Sequence, residues 1–298
     1  MDFKHIPVLL DEVINALNLK QDSIVIDATL GGGGHSQEIL KIIKRGKLYG
    51  IDQDMDAIKV AAARIQAKNF QAIHGNFASL NINGVDAILA DIGVSSHQID
   101  TGQRGFSYIT DGPLDMRMDT TKKFTAADLV NNAKESYLKF IIREYGEERF
   151  AGRIATALVK SRPHKTTIGL AKVIEASVPG AYYRTGGHPA KRTFQALRIE
   201  VNKELESLEK FLERAVDALN PGGRLAVISF HSLEDRMVKQ AFKHYASSCL
   251  CPPKTPQCIC GHKPTLKIIT KKPITATKEE LKINPRASSA KLRVAERI

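Results

Sequence analysis

The chain has 298 residues, 43% hydrophobic and 26% charged, which excludes a disordered or fibrous protein and allows one large domain or two ordinary ones. The net charge of +12 is uneven: residues 1–150 carry −3, 151–198 carry +8, 199–242 carry −2 and 243–298 carry +9. A surplus confined to two segments is what a polyanionic partner attracts, and a small-molecule enzyme has no need of it.

In chain order, strands are predicted at Ser23–Ala28, Lys47–Asp52, Gln71–His74 and Val85–Asp91, with helices at Ser36–Lys44 and Asp56–Lys68 between them. Strands alternating with helices of this length imply a parallel sheet covered on both faces, with ligands bound beyond the carboxyl ends of the strands. From about Thr101 to Ile199 no strand is expected, and helical patterns run at Thr125–Asn131, Ser136–Tyr145, Glu148–Lys160 and Ile168–Ser177. An acidic helix from Glu200 to Leu219 and the turn Asn220-Pro221-Gly222-Gly223 lead to a strand at Arg224–Phe230. A helix at Leu233–Tyr245, then strands at Leu266–Thr270 and Lys291–Arg297, bring the candidate strands to seven.

No run approaches the roughly 18 apolar residues of a membrane span, and no basic-then-apolar leader is visible, so a cytoplasmic protein is expected. All four cysteines lie between 249 and 260, which leaves none to staple the body of the fold.

Asp27-Ala28-Thr29-Leu30-Gly31-Gly32-Gly33-Gly34-His35 joins the first strand to the first helix. Glycines let the backbone approach a ligand closely, although a tight turn for helix–sheet packing is the plainer use of such a loop. Asp52, at the end of the second strand, is placed to bond ribose hydroxyls. Ser36 occupies the third glycine position of a dinucleotide fingerprint, and an acid precedes the loop, so S-adenosylmethionine is favoured over NAD.

Asp91-Ile92-Gly93-Val94-Ser95-Ser96 follows the fourth strand beside the topological switch point, and the chemistry is placed there. Methylating an exocyclic amine needs an acceptor for its N–H, because the nitrogen lone pair is delocalised into the ring. Asp91, Ser95 and Ser96 are the candidate catalytic residues; the alternative is that they only cap a turn. Methylation at a pyrimidine carbon would call for a cysteine nucleophile, and none lies outside the tail.

His5-Ile6-Pro7-Val8-Leu9-Leu10, the Gly31–His35 loop, Asp91–Ser96, Arg104-Gly105-Phe106-Ser107, Asp111–Asp119, Tyr145–Phe150, Thr193–Arg198, Ser229–Arg236 and Asn284–Ser289 together resemble the bacterial 16S ribosomal RNA cytosine-N4 methyltransferases, the RsmH or MraW family. The resemblance runs essentially end to end. It implies methyl transfer from S-adenosylmethionine to the N4 amine of a decoding-centre cytidine, on the small ribosomal subunit. It also implies cofactor contacts at Gly33, Gly34, His35, Asp52, Phe77, Asp91 and Gln98.

Arg104 to Asp119 reads either as a loop held by internal ion pairs or as a flap over cofactor and base. Arg104, Arg117, Arg184, His188, Lys191, Arg192 and Arg198 are the candidate RNA contacts of the basic insert. Ser232 and Asp235 match a capping box for the following helix. Cys249, Cys251, Cys258 and Cys260 read as a structural tetrathiolate zinc site, with His262 able to replace one ligand, or as four reduced thiols in a loop.

The expected fold is α/β: a seven-stranded class I S-adenosylmethionine-dependent methyltransferase sheet, Rossmann-like, with an inserted helical domain. The methyltransferase domain would occupy 1–103 and 200–298, the latter with a cysteine-bearing basic loop at 249–285, and the inserted substrate-recognition domain 104–199. The mechanism expected is direct transfer to a cytosine turned out into the pocket, without covalent intermediate or catalytic metal. The partner is 16S rRNA within the small subunit, a homodimer stays open as an assembly state, and a noncatalytic RNA-binding assembly factor or a methyltransferase for another substrate is the rival reading.

Overall fold

The computed structural model of the chain describes residues 7–79, 81–180, 187–252, 255 and 257–298. Two compact units emerge, a first that ends at Gly93 and resumes at Glu206, and a second from Val94 to Leu205. The second unit therefore begins before Arg104 and ends after Ile199.

The first unit is built on seven strands: β1 (Ile24–Asp27), β2 (Lys47–Asp52), β3 (Phe70–His74), β4 (Val85–Asp91), β5 (Leu219–Ser229), β6 (Leu266–Ile268) and β7 (Lys291–Arg297). Their order is β3-β2-β1-β4-β5-β7-β6. β1 to β5 pair in parallel, and β7 runs antiparallel between β5 and β6. This is the class I methyltransferase arrangement that the sequence led us to expect.

The period-two alternation of buried strands feeds two cores. Val25, Ala87, Leu89, Ala226, Ile228, Leu292 and Val294 face one layer, with helices Leu10–Leu17 and Gly34–Ile42 contributing Val13, Leu17 and Ile39. Ile26, Ile88, Ala90, Leu225, Val227 and Ala295 face the other, against Leu208, Phe211, Leu212 and Ala215 of helix Glu204–Ala218 and Val238 and Phe242 of helix Ser232–Ala246. The chain leaves β1 toward β2 and β3 and then crosses to β4 on the opposite side. The carboxyl ends of β1 and β4 thus flank the switch point where open α/β sheets bind ligands.

Several boundaries differ from the sequence-based expectation. The turn residues Asn220 to Gly223 lie inside β5, where Val85 pairs with Leu219 but Ala87 pairs with Arg224. The strand absorbs them as a wide irregularity, with Gly222 at φ 82°. The helix expected at Glu200–Leu219 is Glu204–Ala218, and Glu200 to Asn202 instead end a helix that the sequence reading did not place, Ala190–Asn202, because Lys203 takes the left-handed conformation at φ 53° between the two. Helix Leu10–Leu17 was unexpected; it starts at a left-handed Leu9 with no side-chain cap, so the usual polar start signal is missing. Met55–Arg64 ends four residues short of the expected Lys68 because Ile65 is extended.

The second unit consists of helices Ser96–Asp100, Ala126–Asn132, Glu135–Glu144, Ala151–Lys160, Thr167–Ser177 and Ala190–Asn202. Its own core includes Leu114, Met116, Leu138, Ile141, Ile154, Leu158, Leu170, Ile174, Phe194 and Leu197. Among the described residues it holds no strand, only a bridge between Pro113 and Thr166. No helix among the described residues is long and apolar enough to cross a membrane.

Candidate methyl-transfer site

The glycine loop is tied at both ends before any ligand is considered. Ala28 N–H donates to Leu89 O at 2.8 Å and Leu30 N–H to Ile51 O at 2.8 Å, which fixes the loop across β4 and β2. Gly31 and Gly33 have φ of 49° and 76°, a region that favours glycine. A Cβ on Gly33 would stand 2.8 Å from Ile65 Cδ1, and one on Gly34 would stand 2.5 Å from Pro7 Cγ. Gly32 has more room, with only Arg64 Nη1 at 3.7 Å.

Asp27 does not act as the ligand-facing acid that its place before the glycines suggested. Its side chain is buried, accepting from Ser36 Oγ at 2.6 Å and from Thr29 N–H at 3.3 Å. It locks β1 to the helix that follows the loop, and burial pushes its carboxyl up to about 6.

Asp52 is half-buried at the end of β2. Oδ2 accepts Gly31 N–H at 2.8 Å and Oδ1 accepts Asp54 N–H at 2.8 Å. Each oxygen retains a second lone pair, enough to accept ribose hydroxyls while it holds the loop. Asp54 is the cap of helix Met55–Arg64, accepting from Asp56 N–H at 3.0 Å. Burial pushes Asp52 up to about 6 against the lowering effect of its backbone donors. Phe77, three residues past the end of β3, is half-buried and meets the Phe211 ring edge-on at 5.0 Å.

Asp91 ends β4. Its own N–H donates to Thr29 Oγ1 at 2.6 Å, so the glycine-loop segment also sets the position of this acid. Oδ1 is inaccessible and has no hydrogen-bond partner among the described residues. Oδ2 lies 3.9 Å from His35 Nδ1. His35 Nε2 is 3.0 Å from Val8 O, and since a carbonyl only accepts, Nε2 carries the proton of that bond and Nδ1 is the ring nitrogen turned toward Asp91. Burial, then the neighbouring charges of Asp27 and Glu234, push the Asp91 carboxyl up to about 8. An orphaned buried oxygen of this kind is an acceptor waiting for an N–H donor.

Glu234 is fully buried beneath the end of β5. Oε2 accepts Phe230 N–H at 2.9 Å and His231 N–H at 3.2 Å, while Oε1 is 3.0 Å from His231 Nε2. The capping box of helix Ser232–Ala246 is therefore His231 with Glu234, not Ser232 with Asp235. Asp235 faces β7 instead, where Arg293 donates to it at 2.6 and 3.2 Å and Lys291 lies at 3.4 Å. Those cations outweigh burial and hold its carboxyl below the usual range.

In the second unit, Ser95 and Gln98 form a reciprocal capping box: Ser95 N–H donates to Gln98 Oε1 at 3.0 Å and Gln98 N–H to Ser95 Oγ at 3.2 Å. Ser96 opens that helix and is half-buried. Arg104 is buried and its Nη2 donates to Arg117 O at 3.0 Å and Met118 O at 3.1 Å. Arg117 makes a two-pronged pair with Asp115 at 2.7 Å on each arm and also donates to Thr120 O and Lys122 O. Asn202 clamps the same loop through Met118 N–H at 2.7 Å and Met116 O at 2.8 Å. Of the two readings of this segment, internal bonding is the one its geometry displays.

Arg198 is likewise engaged, gripping Glu204 with 2.8 Å bonds from Nε and Nη2. His188 pairs with Glu175 at 2.9 Å. Lys191 and Arg192 are exposed in the first turn of helix Ala190–Asn202, with Arg192 Nη1 donating to Glu147 O at 3.0 Å. Arg184 lies outside the described residues. The four cysteines converge in a separate cluster beyond helix Ser232–Ala246.

Three supports of the site had escaped sequence reasoning. Thr29 under Asp91 and Val8 behind His35 act through long-range bonds that leave no local pattern. The His231–Glu234 box, by contrast, was legible as a polar residue three places ahead of a glutamate.

The MraW methylase family matches residues 2–298 of the chain. Ribosomal RNA small subunit methyltransferase H of Clostridium botulinum (strain 657 / Type Ba4) is 52% identical over 310 aligned residues, covering 100% of both chains. The protein of the same name from strain Kyoto / Type A2 is 51% identical with the same coverage. A solved structure described as an rRNA methylase from Streptococcus thermophilus aligns at 11% identity over 97% of this chain and 93% of its own, with a TM-score of 0.43.

Proposed function

The chain belongs to the MraW methylase family, and on that premise we propose that it methylates the exocyclic N4 amine of a decoding-centre cytidine in small-subunit ribosomal RNA, with S-adenosylmethionine as donor. The observation that carries this reading is Asp91: a buried acceptor without a partner, at the carboxyl end of β4, beside the switch point.

The residues present suit the donor. Gly31 to Gly34 carry no Cβ over the loop backbone, and at Gly33 and Gly34 a Cβ would collide; Asp52 has lone pairs free for ribose hydroxyls, and Phe77 offers a ring for adenine. His35 and Asp91 would lie toward the methionyl end. When bound, S-adenosylmethionine would supply an electrophilic methyl group, its S–C bond breaking with the electron pair left on sulfur so that S-adenosylhomocysteine is the other product.

The remaining work falls to the protein. The Asp91 carboxylate, whose side chain is 20% exposed, accepts one N–H of the cytosine amine, which turns the nitrogen lone pair out of conjugation and toward the methyl group. As the N–C bond forms, positive charge grows on the nitrogen, and an ionised Asp91 stabilises it from a site that need not reorganise. The surplus amine proton passes to the Asp91 carboxylate and from there to solvent. Asp91, pushed up by burial, would be favoured in its ionised form by the positive charge of a bound donor. Ser95 and Ser96 serve this reading as the start of the segment that follows Asp91, with Ser95 and Gln98 holding it in a helical turn.

Supplying labelled donor to small subunits, free ribosomal RNA, DNA and protein tests the proposal. Label on small subunits, recovered as N4-methylcytidine, is the expected result. Transfer to DNA or protein instead would overturn it, and binding to subunits without transfer would favour a noncatalytic assembly factor.

A further inference from the structure

We propose that Cys249, Cys251, Cys258 and Cys260 bind one zinc ion in a closed, structural tetrathiolate site.

The sulfurs already stand at the corners of the right solid. Sγ separations are 3.4 Å for Cys249–Cys258, 3.6 Å for Cys258–Cys260, 3.9 Å for Cys249–Cys260 and 4.0 Å for Cys251–Cys258. All four ligand atoms lie within 4.8 Å of one another. Four thiolates placed tetrahedrally at about 2.3 Å from zinc have edges of roughly 3.8 Å, the middle of that range. None of these contacts is a disulfide, whose sulfurs would be about 2.05 Å apart.

The polypeptide supports charged sulfur as well. Leu250 N–H points at Cys260 Sγ at 3.3 Å, Cys251 N–H at Cys249 Sγ at 3.4 Å, and Ile259 N–H at Cys251 Sγ at 3.4 Å. Backbone donors of this kind are the outer shell that orients metal thiolates and spreads their charge. His262, the other candidate ligand in the sequence, is turned away, with Nε2 on His244 O at 3.1 Å.

Hydrophobic burial does not explain the convergence. Three of the four cysteines are exposed and Cys251 is half-buried, while the neighbouring apolar side chains point outward, Leu250 at 41% and Ile259 at 85% exposure. A surface loop with no core of its own needs another source of order. Binding exchanges four S–H protons for one dication, giving a Zn(Cys)4 unit of charge −2 and four protons released to solvent.

Four protein ligands leave no open coordination position, so the site is structural. The loop is anchored to the first unit immediately downstream, where Thr265 N–H donates to Tyr245 O at 2.8 Å and β6 begins at Leu266. The metal would therefore set the path of the basic stretch that includes Lys263, Lys267, Lys271 and Lys272.

The test uses full-length protein made without a metal-affinity tag, in zinc-containing medium, and dialysed without chelator. Elemental analysis should find about one zinc per chain, and the four thiols should resist a thiol reagent until a chelator is added. Cys251→Ser and Cys258→Ser should each fall below about 0.2 zinc per chain and become cleavable by protease near 249–262, while the main thermal transition stays in place. Wild-type protein with less than about 0.2 zinc per chain, thiols freely reactive without chelator, or iron bound in zinc's place would each overturn the assignment.

Discussion

Replacing Asp91 with Asn separates what this side chain does for stability from what it does for catalysis. The substitution keeps the shape and one carbonyl acceptor but removes the negative charge. In the folded protein burial pushes the Asp91 carboxyl from its ordinary 3.8 up to about 8, so its folded form favours the proton. For a group shifted this way the cost appears as pH rises above the unfolded value and is complete above the folded one. At about 1.4 kcal/mol for each pH unit of that rise the ceiling is ~6 kcal/mol. The side chain is 20% exposed, and an unpaired Asn amide in its place costs about 1–3 kcal/mol. The net expectation for Asp91→Asn is a gain of about 2–4 kcal/mol at pH 8 that turns into a loss of about 1–3 kcal/mol near pH 4, where the wild-type cost has gone and the unpaired amide remains. Urea unfolding across that pH range measures it. In the same preparation, methyl transfer to small subunits should fall by about 100-fold or more. Wild-type transfer should rise with pH as Asp91 ionises, half-maximal at or below about 8 and level above it. A variant that is no more stable at pH 8 than at pH 4, or that transfers methyl within about threefold of wild type, would refute this reasoning.

Asp52→Ala should raise the dissociation constant for S-adenosylmethionine about 10- to 100-fold, through lost charge-assisted bonds of about 1.5–3 kcal/mol; equilibrium dialysis with labelled donor checks it, and unchanged binding would remove Asp52 from the site. Gly33→Ala puts a Cβ 2.8 Å from Ile65 Cδ1 at φ 76° and should cost about 1–3 kcal/mol in a chemical melt. Asp235→Ala strands Arg293, which is 7% exposed, and should destabilise by about 3–5 kcal/mol. Because Asp235 is held below its usual range, the stability it adds is present above the unfolded value and is lost as pH falls through the folded one. Lys191→Glu with Arg192→Glu should weaken binding to small subunits and flatten its salt dependence while leaving donor affinity unchanged.

The parts of this fold that could be read from the sequence are those with a local signature. β-branched runs at Ile24–Asp27 and Val85–Asp91 and the alanine-rich helix Met55–Arg64 announce the sheet and its covering layer. The glycines between β1 and the next helix, with Asp52 and Asp91 at strand ends, mark the carboxyl edge as the place for chemistry. Distant bonds stayed hidden. Nothing near Asp27 reveals that Ser36 closes over it, and nothing near Asp91 reveals that Thr29 holds its backbone. The basic insert shows the same limit: charge counting treated Arg104, Arg117 and Arg198 alike as phosphate contacts. Folding gives each of them an internal acceptor, at Met118 O, Asp115 and Glu204 respectively. Lys191 and Arg192 are left at the surface.

The central claim is the identity of the methylated atom, and nucleoside mass spectrometry of small-subunit ribosomal RNA from a strain lacking this protein tests it most directly. Loss of N4-methylated cytidine, restored by the wild-type chain and not by Asp91→Asn, is the result predicted. An unchanged level of that nucleoside in the lacking strain would contradict the account.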